Sequence, residues 1–129
     1  MRVFTTKWFK RFMRIESLGA TKLVKVIREI ENGLHDGDLG GGLIKKRVAR
    51  EGRGKRGGFR TIIVYSKGKR SFFVYGFSKN VKDNLDDVEL EKFKKLAKLY
   101  LGFSDAQITK ALDEKELEEV TDHEEEIQK

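Results

Sequence analysis

Apolar residues recur along the chain with two different periods, and the changes between them divide it into elements. Arg2 to Thr5 alternate weakly and suit a short first strand, whereas from Lys7 to Ile15 the residues Trp8, Phe12 and Ile15 fall at helical spacing. Between Thr21 and Asn32 the stripe Leu23, Val26, Ile27 and Ile30 opposes Lys22, Lys25, Arg28 and Glu29, which predicts a helix with one buried face. Gly33 follows as a suitable C-terminal stop. The segment HDGDLGGG, residues 35–42, is turn chemistry and predicts a loop, because glycine permits positive φ and aspartate bonds local backbone.

Three runs rich in β-branched and aromatic residues come next, Leu43 to Arg50, Phe59 to Ser66 and Arg70 to Phe77, and they predict an antiparallel meander. Lys67-Gly68-Lys69 is a hairpin-length link, whereas Glu51 to Gly58 makes a longer basic loop. After Asn84 the acids Asp86, Asp87, Glu89 and Glu91 suit a helix N-terminus, with Val88, Phe93, Leu96, Ala97 and Tyr100 as the buried stripe. A further helix is expected to begin at Ser104, with Ile108, Leu112 and Leu117 on its sparse apolar side. The expected fold is α+β, a small antiparallel sheet flanked by helices in the order β-α-α-β-β-β-α. Residues 1–102 form its one domain, and residues 103–129 a partly helical, acidic C-terminal extension.

Charge changes this picture by giving it a polarity. Of 28 Lys and Arg and 21 Asp and Glu, residues 1–102 hold 25 and 11, while residues 103–129 hold 3 and 10. A body at +14 attracts polyanions, and a tail at −7 is able to cover it. No run of about 18 apolar residues supports a membrane span, so the expected partner is nucleic acid and the expected compartment the cytoplasm. The absence of Cys excludes disulfides, thiolate catalysis and cysteine-ligated metal. No metal or cofactor is expected.

The richest stretch is GLIKKRVAREGRGKRGGFRTIIVY, residues 42–65, where cations alternate with apolar residues and then crowd a glycine loop. In an extended strand Lys45 and Arg47 share one face, while Ile44, Lys46 and Val48 share the other. Lys46 breaks that pattern: either it snorkels from a strand edge, or the core lies on the other face under Leu43 and Ala49. Glycines 52, 54, 57 and 58 allow close approach to a phosphate backbone, with Arg53, Lys55 and Arg56 as matching charge. Lys46, Arg50, Arg53, Lys55, Arg56 and Phe59 are therefore the RNA-binding candidates, Phe59 because a base can rest between the loop and Arg60. The spacing is not that of a P-loop.

LIKKRVAREGRGKRGGFR, residues 43–60, resembles the RelE/HigB toxin superfamily and is close to the pattern of its HigB-like branch. The resemblance extends from the chain start through FVYGFSKNVKDN, residues 73–84, to the helix near Leu101. It implies a small antiparallel sheet flanked by helices and an mRNA interferase toxin that cuts mRNA in the ribosomal 30S A site. It also implies restraint by a cognate antitoxin, expected as a small helix-turn-helix protein. The family's two basic residues on the second strand fall on Lys45 and Arg47, its G-aromatic-R arginine on Arg60, and the lysine after the last strand on Lys79. The arginine many members carry next is Asn80 here, and their tyrosine near the closing helix is met by Leu85 and Asp86.

RNA cleavage needs a base for the 2′-hydroxyl, charge neutralisation at phosphorus and a proton for the departing oxygen. His35 lies in a turn and His123 in the acidic tail, away from the basic cluster, so a lysine base is required. Crowding Lys45 among Arg47, Arg50 and Arg60 disfavours an ammonium ion and supplies neutral amine. The competing readings are a ParE-like DNA gyrase inhibitor, which shares the fold, and a noncatalytic nucleic-acid-binding module. Cations gathered around one phosphate favour the RNase.

Overall fold

The computed structural model describes residues 1–49, 58–78 and 84–121. Strand β1 (Arg2–Thr6) leads directly into helix α1 (Lys7–Glu16), and α2 (Ala20–Glu31) follows. Strands β2 (Gly37–Gly40), β3 (Leu43–Val48), β4 (Phe59–Ser66) and β5 (Arg70–Ser78) come next, then α3 (Asp87–Leu101), α4 (Asp105–Asp113) and β6 (Leu117–Glu119). The strands form one sheet in the order β2-β3-β4-β5-β1-β6. The expected meander of β3, β4 and β5 is antiparallel throughout, and Gly68 turns its last hairpin at φ +74. β1 lies parallel to β5, the one parallel pairing of this α+β fold among the described residues.

Helices cover both faces of the sheet, and this resolves the ambiguity at Lys46. Ile44, Val48, Phe59, Ile63 and Phe73 pack with Phe9 of α1 and Leu23, Val26, Ile27 and Ile30 of α2. Leu43, Ile62, Val64, Phe72 and Phe77 pack with Phe93 and Ala97 of α3 and Ile108 and Ala111 of α4. Leu43 of one alternate set of β3 and Ile44 and Val48 of the other are therefore core, and neither face belongs to solvent along its whole length. Tyr100 stacks on Phe72 at 4.9 Å, and its burial raises the phenol above its ordinary pKa.

Several expected details are corrected. Residues 35–42 are not all loop, because Gly37 and Asp38 pair with Lys45 and Ile44 in β2, an edge position held by backbone pairing and by Leu39, which packs against the α3-side core. In α1 the buried stripe is Phe9 with Phe12 and Met13, one residue out of phase with the expected Trp8, Phe12 and Ile15; Trp8 and Ile15 are exposed. Val88 was expected in the α3 stripe but is exposed, since the stripe that packs is Leu90, Phe93, Ala97 and Tyr100 and Val88 lies off it. Leu117 is buried in a strand, not a helix: α4 stops at Asp113, Lys115 adopts φ +61, and the chain returns as β6 antiparallel to β1. The segment expected as an acidic extension thus contributes Ile108, Ala111 and Leu117 to the core beside Phe4.

Capping residues set the ends of the last two helices. Asp86 and Glu89 form a reciprocal capping box at α3, and Ser104 and Gln107 form another at α4, each satisfying two otherwise orphaned backbone N–H groups. At the centre of the other face, Gly76 lies beneath Phe12, so that a β-carbon there meets the ring at 2.6 Å. The ring has little room to retreat, with Phe9, Trp8 and Phe59 centred 5.5, 5.7 and 5.4 Å from it. Gly76→Ala is therefore expected to destabilise the fold by about 1–3 kcal/mol through overpacking. Urea unfolding should show a lower midpoint with an unchanged slope; a change inside the noise would mean that Phe12 is free to move.

Candidate nucleic-acid interface

The antiparallel register between β3 and β4 builds the candidate site. Arg47 stands directly opposite Arg60, and Lys45 opposite Ile62. Arg60 shares the face of Ile62 and Val64, and Lys45 and Arg47 share that of Leu43, so all three cations lie on the α3 side of the sheet. Directly opposed β-carbons are about 4.5–5.5 Å apart, a spacing at which like charges destabilise a sheet. A fold that keeps two arginines in this relation holds positive charge ready for an anion.

Three contacts position the cluster. Lys45 Nζ donates to Asn84 Oδ1 at 2.7 Å, tying the strand to the approach of α3, and its stem passes 3.7 Å from where a Gly37 β-carbon would sit. Asp36 accepts from the Arg47 backbone N–H, and its carboxylate lies 3.9 Å from Arg47 Nε. Arg47 remains largely exposed, whereas Arg60 is only 8% exposed. Among the described residues no ion pair neutralises Lys45 or Arg60. The face therefore offers one recessed, one tethered and one exposed cation, a set suited to grip a phosphate from several directions.

Two of the sequence candidates lie elsewhere. Lys46 is buried on the α1–α2 side with Nζ 3.8 Å from Glu29 of α2, so its charge serves a strand–helix ion pair and not the candidate face. Phe59 is 1% exposed on the same side and meets Phe12 edge-on, which leaves no surface for a base. The reason is the period of two: each stands next in sequence to a residue of the cation face and so points away from it. Lys79 and the loop candidates Arg50, Arg53, Lys55 and Arg56 lie outside the described residues, as does His123. His35 is exposed near β2, and the described residues hold no cluster of three or more His, Asp or Glu placed to bind a metal.

Tyr75 and Phe77 were not among the site candidates from sequence. Phe77 pairs with Arg60 and Tyr75 with Ile62, so both continue the cation rows across β5. The β4–β5 register shifts between Ile62 and Ile63, leaving Val74 as an extra residue that breaks strict alternation and brings Tyr75 onto the α3 side. No regular period read along β5 reveals this; the hint was only the density of aromatics in FFVYGF, residues 72–77.

A model for the RelE toxin of the RelE/RelB toxin–antitoxin system matches residues 1–120. No curated protein matches the chain. The matched span includes β6 as well as the cation face.

The division between the two faces has a direct check. Phe59→Ala should cost about 3–5 kcal/mol of stability, as for a buried aromatic. Arg47→Ala should change stability by no more than about 0.5 kcal/mol while weakening oligonucleotide binding. Binding that falls more for Phe59→Leu than for Arg47→Ala, at equal folded fraction, would return Phe59 to the interface.

Proposed function

The chain belongs to the RelE toxin family, and from that premise we propose that it is a metal-independent endoribonuclease that cuts mRNA on the translating ribosome and so inhibits translation. The observation that carries this reading is the gathering of Lys45, Arg47 and Arg60 on one face, with Arg47 and Arg60 in direct register.

The chemistry follows from what such a face is able to do. The 2′-oxygen attacks the adjacent phosphorus while Lys45 takes its proton; Asn84 holds that nitrogen in place at 2.7 Å. Arg47 and Arg60 hydrogen-bond the non-bridging oxygens as negative charge accumulates on the phosphorane, the recessed Arg60 acting with least solvent screening. Lys79 donates a proton to the departing 5′-oxygen, and the P–O5′ bond breaks. The products are a 2′,3′-cyclic phosphate and a free 5′-hydroxyl. Arg50, Arg53, Lys55 and Arg56 hold the flanking RNA or ribosomal backbone.

A RelE/RelB-type toxin has an antitoxin partner, and we assign that role to a small helix-turn-helix protein encoded beside it. The described residues contain no helix long and apolar enough to cross a membrane, and we assign the toxin to the cytoplasm. A gyrase inhibitor on the same fold has no evident use for three cations aimed at one phosphate, which is why the RNase reading is preferred.

Lys45→Ala and Arg60→Ala should each lower the cleavage rate about 10²-fold or more, while Lys55→Ala and Arg56→Ala mainly weaken binding. Primer extension on translated mRNA, with and without ribosomes, measures this. Full translation-dependent cutting by both Lys45→Ala and Arg60→Ala would remove the assignment.

A further inference from the structure

The ladder between β1 and β5 ends at the pair Thr5–Phe73, but β5 continues to Ser78 while the chain turns into α1 at Lys7. One edge of β5 is thereby left beside the start of the helix. Trp8 occupies that place at 44% exposed, although the adjacent Phe9 is completely buried. Its indole centre lies 4.7 Å from Tyr75 and 5.7 Å from Phe12, the latter nearly parallel at 15°. Two neighbouring rings therefore hold the indole in place, while close to half of the residue's surface still faces water.

What distinguishes Trp8 from the other exposed apolar residues is where its contacts lead. Tyr75 stacks on Phe93 of α3 at 5.0 Å and lies 5.8 Å from Phe77, and the ammonium of Lys92 sits 5.5 Å above the Phe93 ring. Phe77 is the register partner of Arg60, which is the partner of Arg47. An aromatic lane thus runs from the exposed indole into the row of cations. Tyr75 stands diagonal to Arg60 across the strands, about 7–8 Å away. Charge that follows a nucleic-acid backbone beside aromatic rings that accept bases is the arrangement by which proteins hold single strands.

We propose that Trp8, backed by Tyr75, is a base-stacking platform that seats a nucleobase of single-stranded RNA next to the phosphate gripped by Lys45, Arg47 and Arg60. The inference rests on the RNA reading of the cation face and adds a positioning residue to it. Trp8 fixes where the strand lies relative to the cations, and so which phosphate enters. It takes no part in proton transfer. Because every base has a π-face, the platform is tolerant of sequence and favours purines through their larger stacking area.

The chain has a single tryptophan, so its emission reports this site alone. The full chain is titrated with a short 2′-O-methyl oligoribonucleotide, which resists cleavage, and separately with inorganic polyphosphate; saturation is followed independently by anisotropy of a labelled strand. The oligonucleotide should quench the emission and the polyphosphate should leave it nearly unchanged, since only the former carries bases. Trp8→Ala should weaken oligonucleotide binding about ten-fold and leave polyphosphate binding as it was, whereas Trp8→Phe should recover most of the loss. Unchanged emission at oligonucleotide saturation, equal quenching by polyphosphate, or failure to bind the oligonucleotide at low salt would each overturn the proposal. So would a Trp8→Ala variant that loses its antitoxin but keeps its RNA, which assigns the indole to a protein partner. The wild-type titration needs no variant to fold. A chain that quenches without cutting translated mRNA would retain the platform and lose the nuclease, and one that cuts without quenching would do the reverse.

Discussion

The structure turns on the register of β3 against β4. Pairing Arg47 with Arg60 brings like charges to the closest lateral approach a sheet provides, where they repel. A slip of one residue would send Lys45 and Arg47 to the opposite face, beneath α1 and α2, and bring Ile44 and Val48 out of their core. Burial of Ile44 and Val48 on one side and Leu43 on the other therefore enforces a juxtaposition that electrostatics alone would avoid. Hydrophobic packing on both faces supplies the stabilisation, and the cations are held where the packing puts them.

Which parts of this were legible beforehand follows from how local each signal is. The stripe Leu23, Val26, Ile27 and Ile30 repeats with the helical period and is buried as the pattern indicates, because a helix carries its facing in its own sequence. Lys45 and Arg47 could be placed together for the same reason, since two residues along a strand share a face. That Arg60 joins them depends on a pairing between strands separated by ten residues, and the family resemblance, not the pattern, suggested it. Lys46 and Phe59 were drawn in by being near the cluster in sequence, where nearness within a strand means the opposite face.

The misplacements elsewhere share a cause. Trp8 and Ile15 fit a helical stripe as well as Phe9, Phe12 and Met13 do; only the position of α1 against β5 decides between them. β2 has almost no apolar content to announce it and exists because the edge of β3 offers backbone partners to residues 37–40. β6 was concealed by acids that suit a solvated tail, yet Leu117 finds a core that the rest of the chain has already made. The extra residue at Val74 is visible only when two strands are aligned, and it moves Tyr75 into the neighbourhood of the cations.

The charge asymmetry read along the chain becomes an asymmetry in space. Glu119 accepts from Arg2 at 2.9 and 3.0 Å, Glu118 pairs with Lys10, and Asp105 pairs with Arg70. All three pairs lie toward the β1–β6 side of the sheet or the β4–β5 hairpin, and most of these groups are exposed, so each adds little to stability. Their effect is on the field. They offset cations along one border, while among the described residues no ion pair offsets Lys45 or Arg60 on the α3 face near β3 and β4. The described acids of the C-terminal segment that make these pairs are committed to the border and do not lie over the cation face.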